Sequence, residues 1–220
     1  MPIDAAEFYA ETERLKRLNE LLNSSSFFSE RGYQTILDAP KELLSLSFPV
    51  FSPLNFLPEG SLKVLDIGCG AGLDMFLIKK QLPSAYVVGV DISLPLLRVN
   101  RVFSGCNIVK TTGEGLPFKE ATFNTVIMNG SFNLIKQKEE FLKNIHKILM
   151  PQSCFFVADI FKKKEIDVPE DGNAFNLKGT LMLKELFMLF KAAGFSYENG
   201  IFDVAYTKEF GLFGVLWRRL

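Results

Sequence analysis

The sequence predicts an α/β fold: a doubly wound sheet of seven strands, mostly parallel with an antiparallel edge strand, preceded by an N-terminal helical extension. Three observations predict it. From Leu62 onward, short apolar runs alternate with amphipathic stretches, which is the rhythm of βαβ units. A glycine-rich turn, Gly68-Cys69-Gly70-Ala71-Gly72, separates the first run from the first helix. The last two runs follow each other around Gly211 with no helix between them, so they form an antiparallel pair at one edge.

The elements follow in chain order. Phe8, Leu15, Leu18, Leu21 and Leu22 recur among charged residues at helical spacing over residues 5–22, and Asn23-Ser24-Ser25-Ser26 ends that helix. A second helix is expected over Tyr33–Leu46, and the Pro- and Gly-rich stretch Phe48–Gly60 reads as a connector. Lys63–Ile67 is the first strand, followed by a helix from about Asp74 to Gln81. Strands are expected at Tyr86–Val90, Asn107–Lys110, Thr125–Met128 and Cys154–Ala158, with helices over Pro95–Phe103 and Glu139–Leu149. A helix over Leu183–Ala193 ends at Gly194, a residue suited to a left-handed cap. Strands near Ile201–Tyr206 and Phe213–Trp217 complete the set.

Composition narrows the function classes. A chain of 220 residues suits one domain, residues 61–220, with residues 1–60 as an extension or cap. The 25 basic and 25 acidic side chains cancel, so no concentrated positive face is expected and no nucleic-acid partner. Lys162-Lys163-Lys164 reads as a solvated loop. Cys69, Cys106 and Cys154 are widely spaced and form no CxxC pair, so a structural metal site is not expected and each reads as a buried apolar residue. The N-terminus has acids and no apolar core of a signal peptide, and no run approaches a membrane span, which fits a reducing cytoplasm.

The glycine turn carries the chemistry. Asp66 stands just before it, within reach of a cationic amine bound over the turn. A pyrophosphate would be repelled there, whereas an ammonium would be held by a charge-assisted hydrogen bond. The spacing is G-x-G-x-G, which differs from the G-x-G-x-x-G of nicotinamide binders. Asp91 closes the second strand, where a carboxylate can accept both hydroxyls of a ribose. It also precedes the helix at Pro95 with Ser93, so a helix-capping role is open to both residues. One nucleoside ligand bearing an amino-acid group explains Asp66, the glycines and Asp91 together.

Val64-Leu65-Asp66-Ile67-Gly68-Cys69-Gly70-Ala71-Gly72 resembles the first motif of class I S-adenosylmethionine-dependent methyltransferases, and Val88-Gly89-Val90-Asp91-Ile92-Ser93 resembles their second. Gly113-Glu114-Gly115-Leu116-Pro117-Phe118 and Thr122-Phe123-Asn124-Thr125-Val126-Ile127 are similar to the segment bearing the adenine pocket. Within the family, Gly72–Leu77 and Met128–Leu134 look closest to the type 11 and arsenite methyltransferase-like branch. The resemblance implies a Rossmann-like sheet with S-adenosylmethionine over the carboxyl ends of strands one to four. It places Asp66, Gly68, Cys69, Gly70, Gly72, Asp91, Ile92, Thr112, Gly113, Glu114, Asn129 and Gly130 at the cofactor. None of the three cysteines falls where the arsenite branch binds arsenic.

The chain departs from the family at Thr111-Thr112, where relatives carry the acid that reaches the adenine amino group; Thr112 or Glu114 is expected to serve instead. Met150-Pro151-Gln152-Ser153 replaces a glycine-rich turn away from the cofactor, and His146 reads as a surface or packing residue. Transfer from a sulfonium needs alignment more than a strong base, so no catalytic residue need stand out. Asn129, Phe132, Asn133 and Asp159 are the residues expected to line a small-molecule acceptor pocket, with Asp159 the one candidate base. Phe8, Tyr9, Phe27 and Phe28 are expected to close over it. Two other readings are a non-catalytic binding or partner-regulating module that keeps the cofactor pocket, and a nicotinamide-dependent reductase.

Overall fold

Val64, Leu65, Asp66 and Ile67 of β1 (Lys63–Ile67) are all buried, the signature of a strand covered on both faces. The computed structural model describes residues 39–40, 43–44, 46–47, 50–60, 62–168, 177, 179–203 and 207–220. The expected helix over residues 5–22, the cap residues Phe8, Tyr9, Phe27 and Phe28, and most of the expected helix Tyr33–Leu46 lie outside the described residues.

β1 pairs in parallel with β2 (Tyr86–Asp91) on one side and β4 (Phe123–Asn129) on the other. With β3 (Asn107–Lys110), β5 (Leu149–Lys162), β6 (Phe195–Asp203) and β7 (Phe210–Arg219), the seven-stranded order is β3-β2-β1-β4-β5-β7-β6. Strand β7 runs antiparallel to both β5 and β6, so the antiparallel pair lies at one edge with β6 outermost. The order reverses between β1 and β4, the switch point where open α/β sheets bind ligands at their carboxyl ends.

Side chains alternate strictly between the two layers. Leu65, Ile67, Val88, Val90, Val126, Phe155 and Val157 face α3 (Lys138–Ile148) and α4 (Leu183–Ala192), meeting Phe141, Leu142, Leu186 and Phe190. Val64, Val87, Ile127, Phe156 and Ala158 face α1 (Leu73–Gln81) and α2 (Leu94–Ser104), meeting Met75, Ile78 and Leu97. The connector joins this second layer. Val50, Phe51 and Phe56 are buried in it, Phe56 stacks on Phe156 at 4.8 Å, and Ser52 caps the short helical turn Pro53–Phe56. Residues 50–53 and Phe56 are therefore part of the core, although they precede the expected domain start.

Several boundaries differ from expectation, each for a physical reason. Met150-Pro151-Gln152-Ser153 belongs to β5, where Gln152 takes a φ of 60° and the register with β4 shifts. Beyond Ala158 the strand runs on to Lys162 because β7 pairs with it through Phe210. β6 starts directly after Gly194, six residues before the strand expected near Ile201–Tyr206, whose last three residues lie outside the described ones; an edge strand needs partners on only one side, and a bulge near Tyr197 absorbs the misfit. Gly194 has a φ of 88° and donates from its N–H to the Lys191 carbonyl, closing α4 as expected. His146 packs edge-on against Phe195 at 5.5 Å.

Candidate functional site

Between β1 and α1 the chain turns through Gly68, Gly70 and Gly72, whose φ angles are 72°, 50° and 90°. The N–H groups of Gly68 and Cys69 both donate to the Val90 carbonyl, at 2.8 and 3.1 Å, which pins the turn to the end of β2. Behind it lies a buried side chain that sequence reasoning missed. The Asn100 amide on α2 donates to the sulfurs of Cys69 and Met75, each at 3.2 Å, and to the Gly70 carbonyl at 3.4 Å, while accepting from Ser104 at 2.6 Å. A Cβ on Gly72 would strike this amide. Cys69 thus sends its thiol into the core, with its pKa raised by burial, and offers the site only its backbone.

Asp91 and Ser93 divide the two roles open to them. Ser93 is the cap of α2, its hydroxyl accepting from the Leu96 N–H at 3.5 Å. Asp91 instead bridges two loops, accepting from the Gly70 N–H at 2.9 Å and the Ser93 N–H at 2.8 Å. Both oxygens keep acceptor capacity for hydroxyl donors. Ile92, next to it, is 48% exposed and offers a flat apolar surface beside the turn.

A small cavity of about 50 Å³ sits over the turn, lined by Asp66, Gly68, Gly70, Asp74, Asn129 and Gly130 among others, with Leu46 and Ser47 closing one wall. Asp66 is buried at its floor. Burial pushes its carboxyl well above the usual carboxylate range, and the neighbouring Asp74 and Asp91 push it further. Burial also raises Asp91, against the opposing hydrogen bonds from Ser93, Gly70 and Ile92. Crowded, buried carboxylates of this kind favour a cationic partner. Asp74, a member of the first turn of α1, was also missed; an acid directly after a glycine turn was the available signal.

The other expected site residues do not line this cavity. Thr112 is exposed and accepts from the Gly115 N–H at 3.1 Å, and Glu114 accepts from the Lys136 N–H at 3.2 Å. Gly113 is packed so closely that a Cβ there would lie 2.8 Å from Ile135. Phe132 is fully buried against Phe141 and Phe190, and the Asn133 amide donates to the Asp159 carboxylate and the Ile160 carbonyl at 2.9 and 3.0 Å. Neither faces the cavity: the turn Phe132–Leu134 tucks under the sheet end to satisfy buried polar groups. Asp159 lies inside β5, not at its end, and accepts from the backbone N–H groups of Asn133 and Ile160 at 2.9 and 2.8 Å. Burial raises it to about 6. Its place is a bracket between β5 and the Phe132–Leu134 turn.

All three cysteines are free and buried. Among the described residues no group of three or more His, Cys, Asp and Glu side chains is placed to hold a metal ion, and no helix is long and apolar enough to cross a membrane.

Residues 64–152 match the family described as a methyltransferase domain. The chain is 26% identical over 147 residues to an arsenite methyltransferase of Halobacterium salinarum, covering 60% of this chain and 37% of that protein. It is 30% identical over 108 residues to a ubiquinone/menaquinone biosynthesis C-methyltransferase of Pasteurella multocida, covering 46% and 40%. The chain thus spans less than half the length of these curated relatives. Among solved structures, an arsenic(III) S-adenosylmethionine methyltransferase of Chlamydomonas reinhardtii superposes with a TM-score of 0.68 at 20% identity, covering 83% of this chain and 71% of that one. A [4+2]-cyclase superposes with a TM-score of 0.65 at 15% identity, covering 73% and 76%, so one fold carries more than one chemistry.

Proposed function

We propose that this chain, a class I S-adenosylmethionine-dependent methyltransferase by its domain match and its fold, transfers a methyl group to a small-molecule acceptor. S-adenosylmethionine is the cofactor of that family, and when bound it supplies an activated methyl on a sulfonium for in-line displacement. The observation that carries the reading is the pairing of Asp66 and Asp91 across one glycine turn, the first at the cavity floor and the second tied to Gly70. The fit is chemical as well as spatial. Asp66, with no cation among the causes that shift it within the described residues, would hold the amino-acid ammonium, and Asp91 would accept the ribose hydroxyls. Ile92 would cover one face of the adenine. The turn glycines would let the ligand lie against backbone.

The rest of the chain excludes water and aligns the reactants, and no residue facing the cavity is needed as a strong base. The balanced charge and the names of two curated relatives, an arsenite methyltransferase and a ubiquinone/menaquinone biosynthesis C-methyltransferase, support a small acceptor. The cysteines do not favour arsenite as the acceptor: the Cys69 thiol accepts from the Asn100 amide behind the turn, Cys106 is buried just before β3, and Cys154 is buried within β5. The test is calorimetric titration with S-adenosylhomocysteine, beside NADH and the Asp91→Ala variant. Binding of the nucleoside that weakens by roughly 1–3 kcal/mol in the variant is expected, the loss for a hydrogen bond to a charged group. No binding, or preference for NADH, would overturn the proposal.

A further inference from the structure

Asn129 ends β4, on the opposite side of β1 from Asp91. If the ribose sits at Asp91, the amino-acid end of the ligand points toward β4, where Asp66 and Asp74 line the same cavity. The Asn129 amide does three things there. Its Oδ1 accepts from the Val50 N–H at 3.0 Å, and its Nδ2 donates to the Phe51 carbonyl at 2.9 Å and to Asp74 Oδ2 at 2.7 Å. Both amide N–H groups are thereby committed to the protein.

We infer that Asn129 is a positioning residue: its carboxamide ties the Val50–Phe51 strap to the Asp74 carboxylate and holds that carboxylate at the amino-acid end of the cofactor site. This rests on the cofactor reading above. A carboxamide meets the arrangement with one group, because the strap presents one N–H and one C=O while Asp74 Oδ2 accepts from the same amide. An aspartate would set a carboxylate against Asp74, and an alanine would release both partners.

The experiment titrates the whole chain with two probes, S-adenosylhomocysteine and 5′-methylthioadenosine, which share the nucleoside and differ in the amino-acid group. Asn129→Ala is expected to weaken S-adenosylhomocysteine about tenfold and to leave 5′-methylthioadenosine within about twofold, the scale of one charge-assisted contact. Asp74→Asn keeps the hydrogen bond while losing the charge, so it serves if Asn129→Ala fails to fold, and the same selective loss is expected. The double variant should bind S-adenosylhomocysteine about as weakly as the poorer single variant, because the two residues act through one contact. Equal losses on both probes, no loss on either, or independent multiplying losses would overturn the inference. Asp91→Ala, by contrast, should weaken both probes. If the unaltered chain binds neither probe, the cofactor reading falls and takes this one with it; if it binds both and the selective pattern is missing, only this inference falls.

Discussion

Replacing Gly72 with alanine tests how the turn is held. Gly72 has a φ of 90°, and a side chain there would meet the Asn100 carboxamide. The left-handed backbone costs a non-glycine residue roughly 1–2 kcal/mol. Displacing Asn100 leaves buried polar groups unpaired, at about 1–3 kcal/mol. Gly72→Ala should therefore lower unfolding free energy by about 2–5 kcal/mol in urea titration. The two contributions separate in an Asn100→Ala background, where the steric conflict is gone and only the backbone cost persists. There the same substitution should cost roughly 1–2 kcal/mol. An undiminished cost in that background would refute the contact with Asn100 as the origin of the effect.

Other predictions follow from burial. Burial raises the Asp159 carboxyl from 3.8 to about 6, so the folded chain holds that proton more tightly than the unfolded one. Its contribution to stability is full below about pH 4 and falls by roughly 3 kcal/mol as the pH rises through about 6. Asp66 and Asp91 titrate in the same direction, so the comparison is with Asp159→Asn, which should flatten the profile between those limits; equal slopes in thermal unfolding would contradict it. Gly214 faces Phe51 so closely that an added Cβ would lie 3.0 Å from its ring and Cβ. Gly214→Ala should destabilise by about 1–3 kcal/mol through overpacking, and an unchanged urea midpoint would show that the connector yields freely.

The sheet was legible because parallel strands covered on both faces leave near-continuous apolar runs, and Val64–Ile67 and Tyr86–Val90 are such runs. The glycine turn was legible for a similar reason, since its backbone needs a residue type that stands out in sequence. Strand ends were less so: Asp159 looks like a strand-end acid until β7 is known to pair with it. Phe132 and Asn133 follow β4 at the place where ligands bind, yet the buried Asp159 carboxylate draws their turn inward. Asn100 and Asn129 carry no local signal of their roles. Asn100 is an amide on an amphipathic helix, and its use depends on two sulfurs brought in from α1 and the turn. Asn129 acts on a strap that comes from far earlier in the chain, a relation that only the folded topology supplies.

The chain has a single tryptophan, and its setting makes it an optical reporter. Trp217 is buried in β7, stacked on Phe190 of α4 at 4.3 Å and edge-on to Phe187 at 5.0 Å. It belongs to the edge of the sheet beyond β5, while the glycine turn belongs to the other half. Its emission therefore follows the loosening of the β5-β7-β6 edge. Set against far-ultraviolet circular dichroism, which follows every helix and strand, the two signals will trace one curve only if the halves of the sheet melt together.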